Sequence, residues 1–203
     1  MTDAVIDPGP EEAAAESRHG FAEKDFGFWL YLMSDAIIFA LLFATYAAMI
    51  RNTAGGPGGH DVFKLPHAFA ETMLLLASST TFGLASVAIA AGQRWRTLGW
   101  LGVTLLLGLG FVGMEITEFL DLVAAGAGPQ RSGFLSAFFT LVGAHGLHVS
   151  MGLVWIVLLG GETALRGLEP HVVSRLYRLS LFWHFLDIVW IGIFSVVYLP
   201  GVL

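Results

Sequence analysis

The sequence predicts an all-α, polytopic membrane protein with five transmembrane helices. Two observations indicate this class. Of 203 residues, 56% are hydrophobic and only 13% are charged, and the apolar residues are gathered into five long runs. A soluble domain of this size needs a largely polar exterior, which this composition cannot supply. We therefore expect lipid to be the solvent around most of the fold.

Each apolar run is long enough to cross a bilayer as a helix. About 20 residues, rising about 1.5 Å each, span a hydrocarbon core of about 30 Å. The five runs cover approximately residues 26–50, 68–91, 98–120, 133–159 and 177–199. Short polar or glycine-rich segments join them, so residues 26–203 are predicted to form a single membrane domain.

The first 25 residues have a different character. They are acidic, rich in alanine and proline, and without apolar periodicity, which predicts a disordered tail. This tail accounts for most of the net charge of −6 and argues against a basic signal or transit peptide. No basic stripe is present to neutralise phosphates, so nucleic acid is excluded as a partner. The chain has no cysteine, which excludes disulfides and thiolate metal sites.

The distribution of lysine and arginine predicts how the chain is oriented. If the N-terminus is cytoplasmic, seven basic residues lie on the cytoplasmic side: Arg18, Lys24, Arg94, Arg96, Arg166, Arg175 and Arg178. The other side then has three: Arg51, Lys64 and Arg131. Cytoplasmic segments carry the excess of positive residues in most membrane proteins. The N-terminus is therefore predicted to be cytoplasmic and the C-terminus periplasmic.

Five ionisable residues lie inside the apolar runs, at Asp35, His145, His148, His184 and Asp187. His184 and Asp187 are three residues apart, as are His145 and His148, so each pair shares one side of a helix. The helical rise places all five at similar depths in the cytoplasmic half of the membrane. Such groups are costly to bury without partners. We therefore predict an intramembrane polar network formed by these side chains.

Two interpretations of this network are open. In the first, neutral imidazole and carboxyl groups bond one another and fix helix packing, at about 0.6–2 kcal/mol per bond. In the second, the network is a working site, either a metal cluster in a stand-alone metalloenzyme or a proton relay in a proton-coupled carrier. A catalytic metal also needs an open coordination position and a route for substrate. We favour helix packing and assign no catalytic, cofactor or metal residue.

A second acidic group lies toward the predicted outer face and comprises Glu71, Glu115, Glu118 and Asp121. Glu115 and Glu118 share a helix face, as do Glu118 and Asp121. The loop cations Lys64 and Arg131 are nearby in sequence. Acids near a helix end can extend toward water, so we favour pairing of this group with loop cations, and a function of its own is the alternative.

Four segments resemble subunit III of the haem–copper terminal oxidases. They are FGFWLYLMSDAIIFALLFATY (26–46), GMEITEF (113–119), GFLSAFFTLVGAHGLHVSMGLVW (133–155) and LFWHFLDIVWIGIFSVVYL (181–199). The combination of HGLHV with WHFLDIVW, in that order and at that separation, is specific. The resemblance covers almost everything after Lys24.

Within this family the chain is most similar to the five-helix subunit III of the bo-type quinol oxidases. The MSD of the first run, the TAGGPGG loop, GMEITEF and GPQRSGFLSAFF carry this likeness. Cytochrome c oxidase relatives usually have Glu at the position of Asp35 and often Gln at that of Glu115. The mitochondrial forms have two additional N-terminal helices. Subunit III of a cytochrome c oxidase is the alternative within the family.

The resemblance implies a non-catalytic subunit of a proton-pumping quinol oxidase in a bacterial inner membrane. Subunit I of such a complex holds two haems and one copper and reduces oxygen to water. Subunit III stabilises subunit I and supports its proton uptake, and subunit II and a small subunit IV are further partners. The family also implies a cleft between the first two helices and the remaining three, filled by phospholipid, with Asp35 close to it.

Overall fold

The computed structural model describes the backbone of residues 10–202 and the side chains of residues 25–60 and 62–200. Every regular element in this part of the chain is helical: α1 (Pro10–Met49), α2 (Gly59–Val62), α3 (Leu65–Ala90), α4 (Arg94–Ala124), α5 (Gly133–Arg166), α6 (Pro170–Ile193), a π-helical segment (Phe194–Tyr198) and α7 (Leu199–Val202). The chain divides into two units, Met1–Ile37 and Ile38–Leu203. We describe each unit by itself.

Five helices are long and apolar enough to cross a membrane: Asp25–Met49, Leu65–Ala90, Arg94–Ala124, Gly133–Arg166 and Pro170–Tyr198. This confirms the all-α class and the five membrane-spanning helices that the apolar runs predict. Each lies over one predicted run, because a run of apolar side chains is stable in lipid only when its backbone hydrogen bonds are made internally.

The N-terminal region differs from its prediction. The helix α1 begins at Pro10, inside the segment that we expected to be disordered. Proline is favoured at the first helical position. The following alanines have the highest helix propensity of any residue. The rest of the predicted tail, residues 1–9, lies outside the described residues.

The helices α5 and α6 extend well beyond the apolar runs that predicted them. The helix α5 continues to Arg166, where Gly167 adopts a φ of +79° that suits glycine at a helix end. After a short turn, Pro170 begins α6 as its first residue. Arg175 and Glu162 form an ion pair at 3.1 Å between the two polar ends. Hydropathy marks only the lipid-crossing part of each helix, whereas glycine and proline set the ends.

The helices α3, α4, α5 and α6 form a closed bundle. Each packs against the next in sequence, and α6 returns to pack against α3. The part of α1 after Ile37 lies against α5 and α6. Its Phe39 ring is 5.2 Å from the ring of His148 and 6.4 Å from that of Phe185.

The helix α3 packs directly against both α4 and α6, with side-chain hydrogen bonds between α3 and α6 that are described below. The cleft that the resemblance implies, between the first two helices and the remaining three, stays a prediction. The phospholipid that the resemblance places in such a cleft stays a prediction.

The indole of Trp183 fills the centre of the bundle and is 1% exposed. Two glycines on neighbouring helices make room for it. A Cβ added to Gly152 of α5 would lie 3.0 Å from Cζ3 of this ring, and one added to Gly108 of α4 would lie 3.1 Å from its Cη2. Because a rigid ring cannot move aside easily, both positions require glycine for close helix approach.

We expect Gly152→Ala to lower the free energy of unfolding by about 1–3 kcal/mol, because the added methyl group overpacks the Trp183 ring. Gly160→Ala, on the same helix where an added Cβ meets no atom within 4 Å, is the control and should be neutral or stabilising by up to about 1 kcal/mol. Thermal unfolding of the purified protein in detergent measures both. Equal stability of the Gly152→Ala variant and the unchanged protein would contradict the packing argument.

Candidate functional site

Polar side chains join α3 to α6 along one line, which we call the α3–α6 seam. It consists of Thr72, Ser78, Ser79 and Ser86 on α3, and Ser180, Trp183, His184, Asp187 and Trp190 on α6. The α3 positions 72, 79 and 86 repeat every seven residues, so their side chains lie on one face of the helix. The two helices run antiparallel, so Ser86 meets Ser180 at one end and Thr72 meets Trp190 at the other.

Two buried tryptophans make the seam's deepest bonds. The indole Nε1 of Trp183 donates to Oγ of Ser78 at 3.1 Å, and that of Trp190 donates to Oγ1 of Thr72 at 3.0 Å. The Ser78 hydroxyl in turn donates to the carbonyl of Leu75 at 2.7 Å. Each hydroxyl thus satisfies an indole N–H that would otherwise be buried without a partner, which tryptophan in an apolar interior requires.

His184 and Asp187 meet at the same seam. Nδ1 of His184 is 2.7 Å from Oγ of Ser79, and Asp187 is hydrogen-bonded to Ser79 and interacts electrostatically with His184. Both ionisable side chains are half-buried. The structure therefore brings this predicted pair together through Ser79, which the sequence analysis missed. The seven-residue repeat of hydroxyl residues on α3 was the signal that could have found it.

His145 and His148 have different surroundings. His145 is fully buried, and neither ring nitrogen has a hydrogen-bond partner in the part of the chain that the structure describes. Its ring lies 5.2 Å from that of Trp190 and 5.8 Å, edge to face, from that of Phe111. His148 donates from Nδ1 to the carbonyl of Ala144 at 2.7 Å. For His145 this differs from the hydrogen-bonded role that we predicted, because aromatic rings rather than polar groups surround it.

Asp35 lies on α1 in the N-terminal unit, so its place in the predicted network stays a prediction. Among the residues that the structure describes, no three histidine, aspartate or glutamate side chains are arranged to hold a metal ion. The contacts of the seam are those of helix packing: His184 and Asp187 bond to a serine of the neighbouring helix.

The second predicted acidic group divides into buried and exposed members. Glu71 of α3 and Glu115 and Glu118 of α4 are 0%, 3% and 8% exposed, whereas Asp121 is exposed. The prediction that these acids extend to water is wrong for the three glutamates. Their positions on α3 and α4 lie where these two helices pack together, so the carboxyl groups point into the bundle.

We call Glu71, Glu115, Glu118 and Tyr198 the acidic cluster. The Tyr198 hydroxyl donates to Oε2 of Glu118 at 2.8 Å, and the three carboxyl groups interact electrostatically with one another. The Glu115 carboxyl occupies the space where Gly146 of α5 lacks a side chain. Tyr198 ends the π-helical segment. Such segments form where a helix is interrupted, and here Pro200, two residues after Tyr198, has no N–H for the helix.

A small pocket opens at the edge of the acidic cluster, at the end of the bundle where α2 lies. Its volume is about 30 Å³, and its lining includes Lys64, His67, Glu118 and Asp121. Nε2 of His67 is 3.5 Å from Oε1 of Glu71 and 3.4 Å from the carbonyl oxygen of Met114. The pocket is large enough for about one water molecule.

Comparison with known proteins identifies the family. Residues 11–202 match the model of the family described as cytochrome c oxidase subunit III. The chain belongs to this family. Because the match covers almost the whole chain, it includes α3 to α6 and the acidic cluster.

Several relatives are similar over most of their length. The chain is 57% identical over 178 residues to cytochrome bo(3) ubiquinol oxidase subunit 3 of Pseudomonas aeruginosa, covering 88% of this chain and 85% of the relative. It is 56% identical over 177 residues to the protein of the same name from Pseudomonas putida, covering 87% and 86%. Cytochrome c oxidase subunit 3 of Bacillus sp. strain PS3 is 46% identical over 191 residues, covering 93% and 92%.

We expect Ser79→Ala to destabilise the bundle by about 0.6–2 kcal/mol, because His184 and Asp187 lose their shared partner inside the membrane. Thr80→Ala is the matched control, since Thr80 is the next residue of α3, is exposed, and bonds only to the carbonyl of Leu76 in its own helix. Denaturant titration in detergent micelles would measure the difference between the two variants. Similar losses in both would indicate that the Ser79 bonds contribute nothing.

Proposed function

We propose that the chain is subunit III of a quinol-oxidising terminal oxidase. The observation that carries the proposal is its 57% identity, over 88% of its length, to a relative named as a ubiquinol oxidase subunit. In such a complex electrons from a quinol reduce oxygen to water, a reaction that needs redox centres. We place those centres, two haems and one copper, in subunit I.

The role that we propose for this chain is to stabilise subunit I and support its proton uptake. The interior contacts support an accessory role, because the polar groups of the α3–α6 seam are engaged with each other across helices. Outward-facing apolar side chains are abundant on every membrane-spanning helix, as expected for helices that contact lipid and partner subunits. Subunit II and a small subunit IV are the other partners that we propose.

We further propose a bacterial inner membrane as the location, with the N-terminus cytoplasmic and the C-terminus periplasmic. The excess of basic residues on one side supports this orientation. In the structure, Arg94 and Arg96 begin α4, Arg166 ends α5, and Arg175 lies in the first turns of α6. The end of the bundle where α2 lies would then face the periplasm.

Subunit III of a cytochrome c oxidase is the second candidate, supported by 46% identity to a Bacillus relative of that name. Purifying the complex through a tag on this chain separates the two. We expect oxygen consumption with a reduced quinol and none with reduced cytochrome c. The reverse pattern would establish the second candidate, and iron, zinc or copper bound stoichiometrically to the isolated chain would instead support a metalloenzyme.

Replacing His184 or Asp187 by leucine is expected to reduce assembly of the complex more than its chemistry. Each change removes a group bonded to Ser79, so the packing of α6 against α3 is weakened. The redox centres that we place in subunit I are not altered. The yield of intact complex and the turnover per assembled complex are the two quantities to compare. Normal yield with collapsed turnover would contradict a packing role.

Asp35→Asn is expected to leave the haem content of the complex unchanged, because we propose that no haem is bound by this chain. Absorbance spectra of the reduced complex, normalised to protein, measure haem content directly. Asparagine keeps the size of aspartate, so packing is preserved. A variant complex that had lost haem would refute this assignment.

A further inference from the structure

We propose that the acidic cluster is a proton-binding site that exchanges protons with the aqueous phase at the α2 end of the bundle. The cluster brings three glutamates from two helices together with the hydroxyl of Tyr198. The ligand is a proton bound to a carboxyl oxygen, supplied by water in the adjoining pocket and returned to it. No electron is transferred, and no other co-reactant takes part.

The first argument is the balance of charge around the buried carboxyl groups. Among the described residues, neither oxygen of Glu71 has a hydrogen-bond partner, and Oε2 of Glu115 also has none. Three negative charges at this depth would repel one another and each would lose its hydration. Carboxyl groups that face each other in such a setting share protons instead. We therefore infer that the cluster carries bound protons.

The second argument comes from the charged and titratable groups on each helix around the cluster. Helix α3 and the residue before it contribute His67 and Lys64, both of which interact with Glu118. Helix α4 contributes Asp121 at the pocket, and α5 contributes Gly146, which has no side chain to carry charge. Lys64 lies at the pocket, so it can compensate Glu118, whereas no described lysine or arginine is among the groups that act on Glu115, deeper in the bundle.

A proton suits the geometry better than a metal ion. In the described part of the chain no set of three acidic or imidazole side chains converges as metal ligands do. Oε2 of Glu118 already accepts the Tyr198 hydrogen at 2.8 Å, and a donor aimed at a carboxyl oxygen takes the place that a cation would need. A carboxyl group that accepts from tyrosine with one oxygen can still bind a proton on the other.

The pocket provides the route. It holds about one water molecule and reaches both Glu118 and His67. From there Nε2 of His67 is 3.5 Å from Oε1 of Glu71, within reach of transfer after a small movement. An imidazole ring has one nitrogen that donates a proton and one that accepts one, so it can pass a proton between the pocket and Glu71. A proton from the pocket can therefore reach the buried Glu71 and Glu115 through either Glu118 or His67.

Infrared spectroscopy of the intact purified complex tests the proposal, because protonated carboxyl groups have a carbonyl stretching band separate from that of carboxylates. We expect Glu71→Gln and Glu115→Gln each to lose part of this band relative to the unchanged complex. Glu169→Gln, the same substitution at an exposed glutamate that does not line the pocket, is the matched control and should leave the band unchanged. Bands of equal intensity in the glutamine variants and the unchanged complex would overturn the proposal.

Exchange with heavy water tests the route. In the unchanged complex the band should shift when the solvent is replaced by deuterium oxide. Glu118→Gln with His67→Phe should slow that shift about a hundredfold, the lower end of what a positioned proton-transfer group contributes. A shift at the unchanged rate would overturn the assignment of the pocket as the entry.

A further measurement avoids variants that fail to assemble. Complex grown with isotope-labelled glutamate moves the bands of glutamate carboxyl groups and leaves those of aspartate in place. A labelled, deuterium-sensitive protonated band supports the proposal, and its absence overturns it. A different result would be a metal ion that the purified complex holds in a fixed ratio to this chain and that the Glu71→Gln variant loses. That result would overturn the proposal, because the acidic cluster would then be a cation site. These measurements do not depend on the electron donor of the oxidase.

Discussion

The bundle closes where α6 returns to α3, and that contact depends on hydrogen bonds between a serine- and threonine-bearing face and the tryptophans of α6. Helices in lipid gain nothing from burying apolar surface against one another, so packing and polar contacts must hold them together. Trp183 supplies both, because its ring fits between two glycines and its N–H bonds to Ser78. The positions of α4 and α5 follow from the ring of contacts that this seam completes.

Polar side chains in this membrane protein fall into two kinds of setting. Most of those in the seam are bonded across two helices, as for His184 with Ser79, although Oδ1 of Asp187 has no partner among the described residues. Those of the acidic cluster keep unpartnered oxygens while fully buried, as for Glu71, and lie beside a pocket of water size. The same constraint, that a buried polar group needs a partner, thus explains the first set and points to bound protons in the second.

An accessory subunit with a proton-binding site would complement a partner that consumes and moves protons. The chain belongs to the cytochrome c oxidase subunit III family and is similar to named subunits of terminal oxidases. The cluster joins α3, α4 and the π-helical segment, so it also ties the end of α6 to the rest of the bundle. Stability and proton exchange would then depend on the same few contacts.

The sequence by itself determined the fold class, the number of membrane helices and the pairing of His184 with Asp187, because hydropathy and helical spacing are local properties. It could not show that α1 begins at Pro10 or that α5 continues to Arg166, since helix ends depend on capping rather than on apolar runs. Only the tertiary structure decided that Ser79 completes the seam and that Glu71 faces Glu115. The faces at which two helices meet depend on packing between segments that are distant in sequence. A local sequence pattern does not predict that contact.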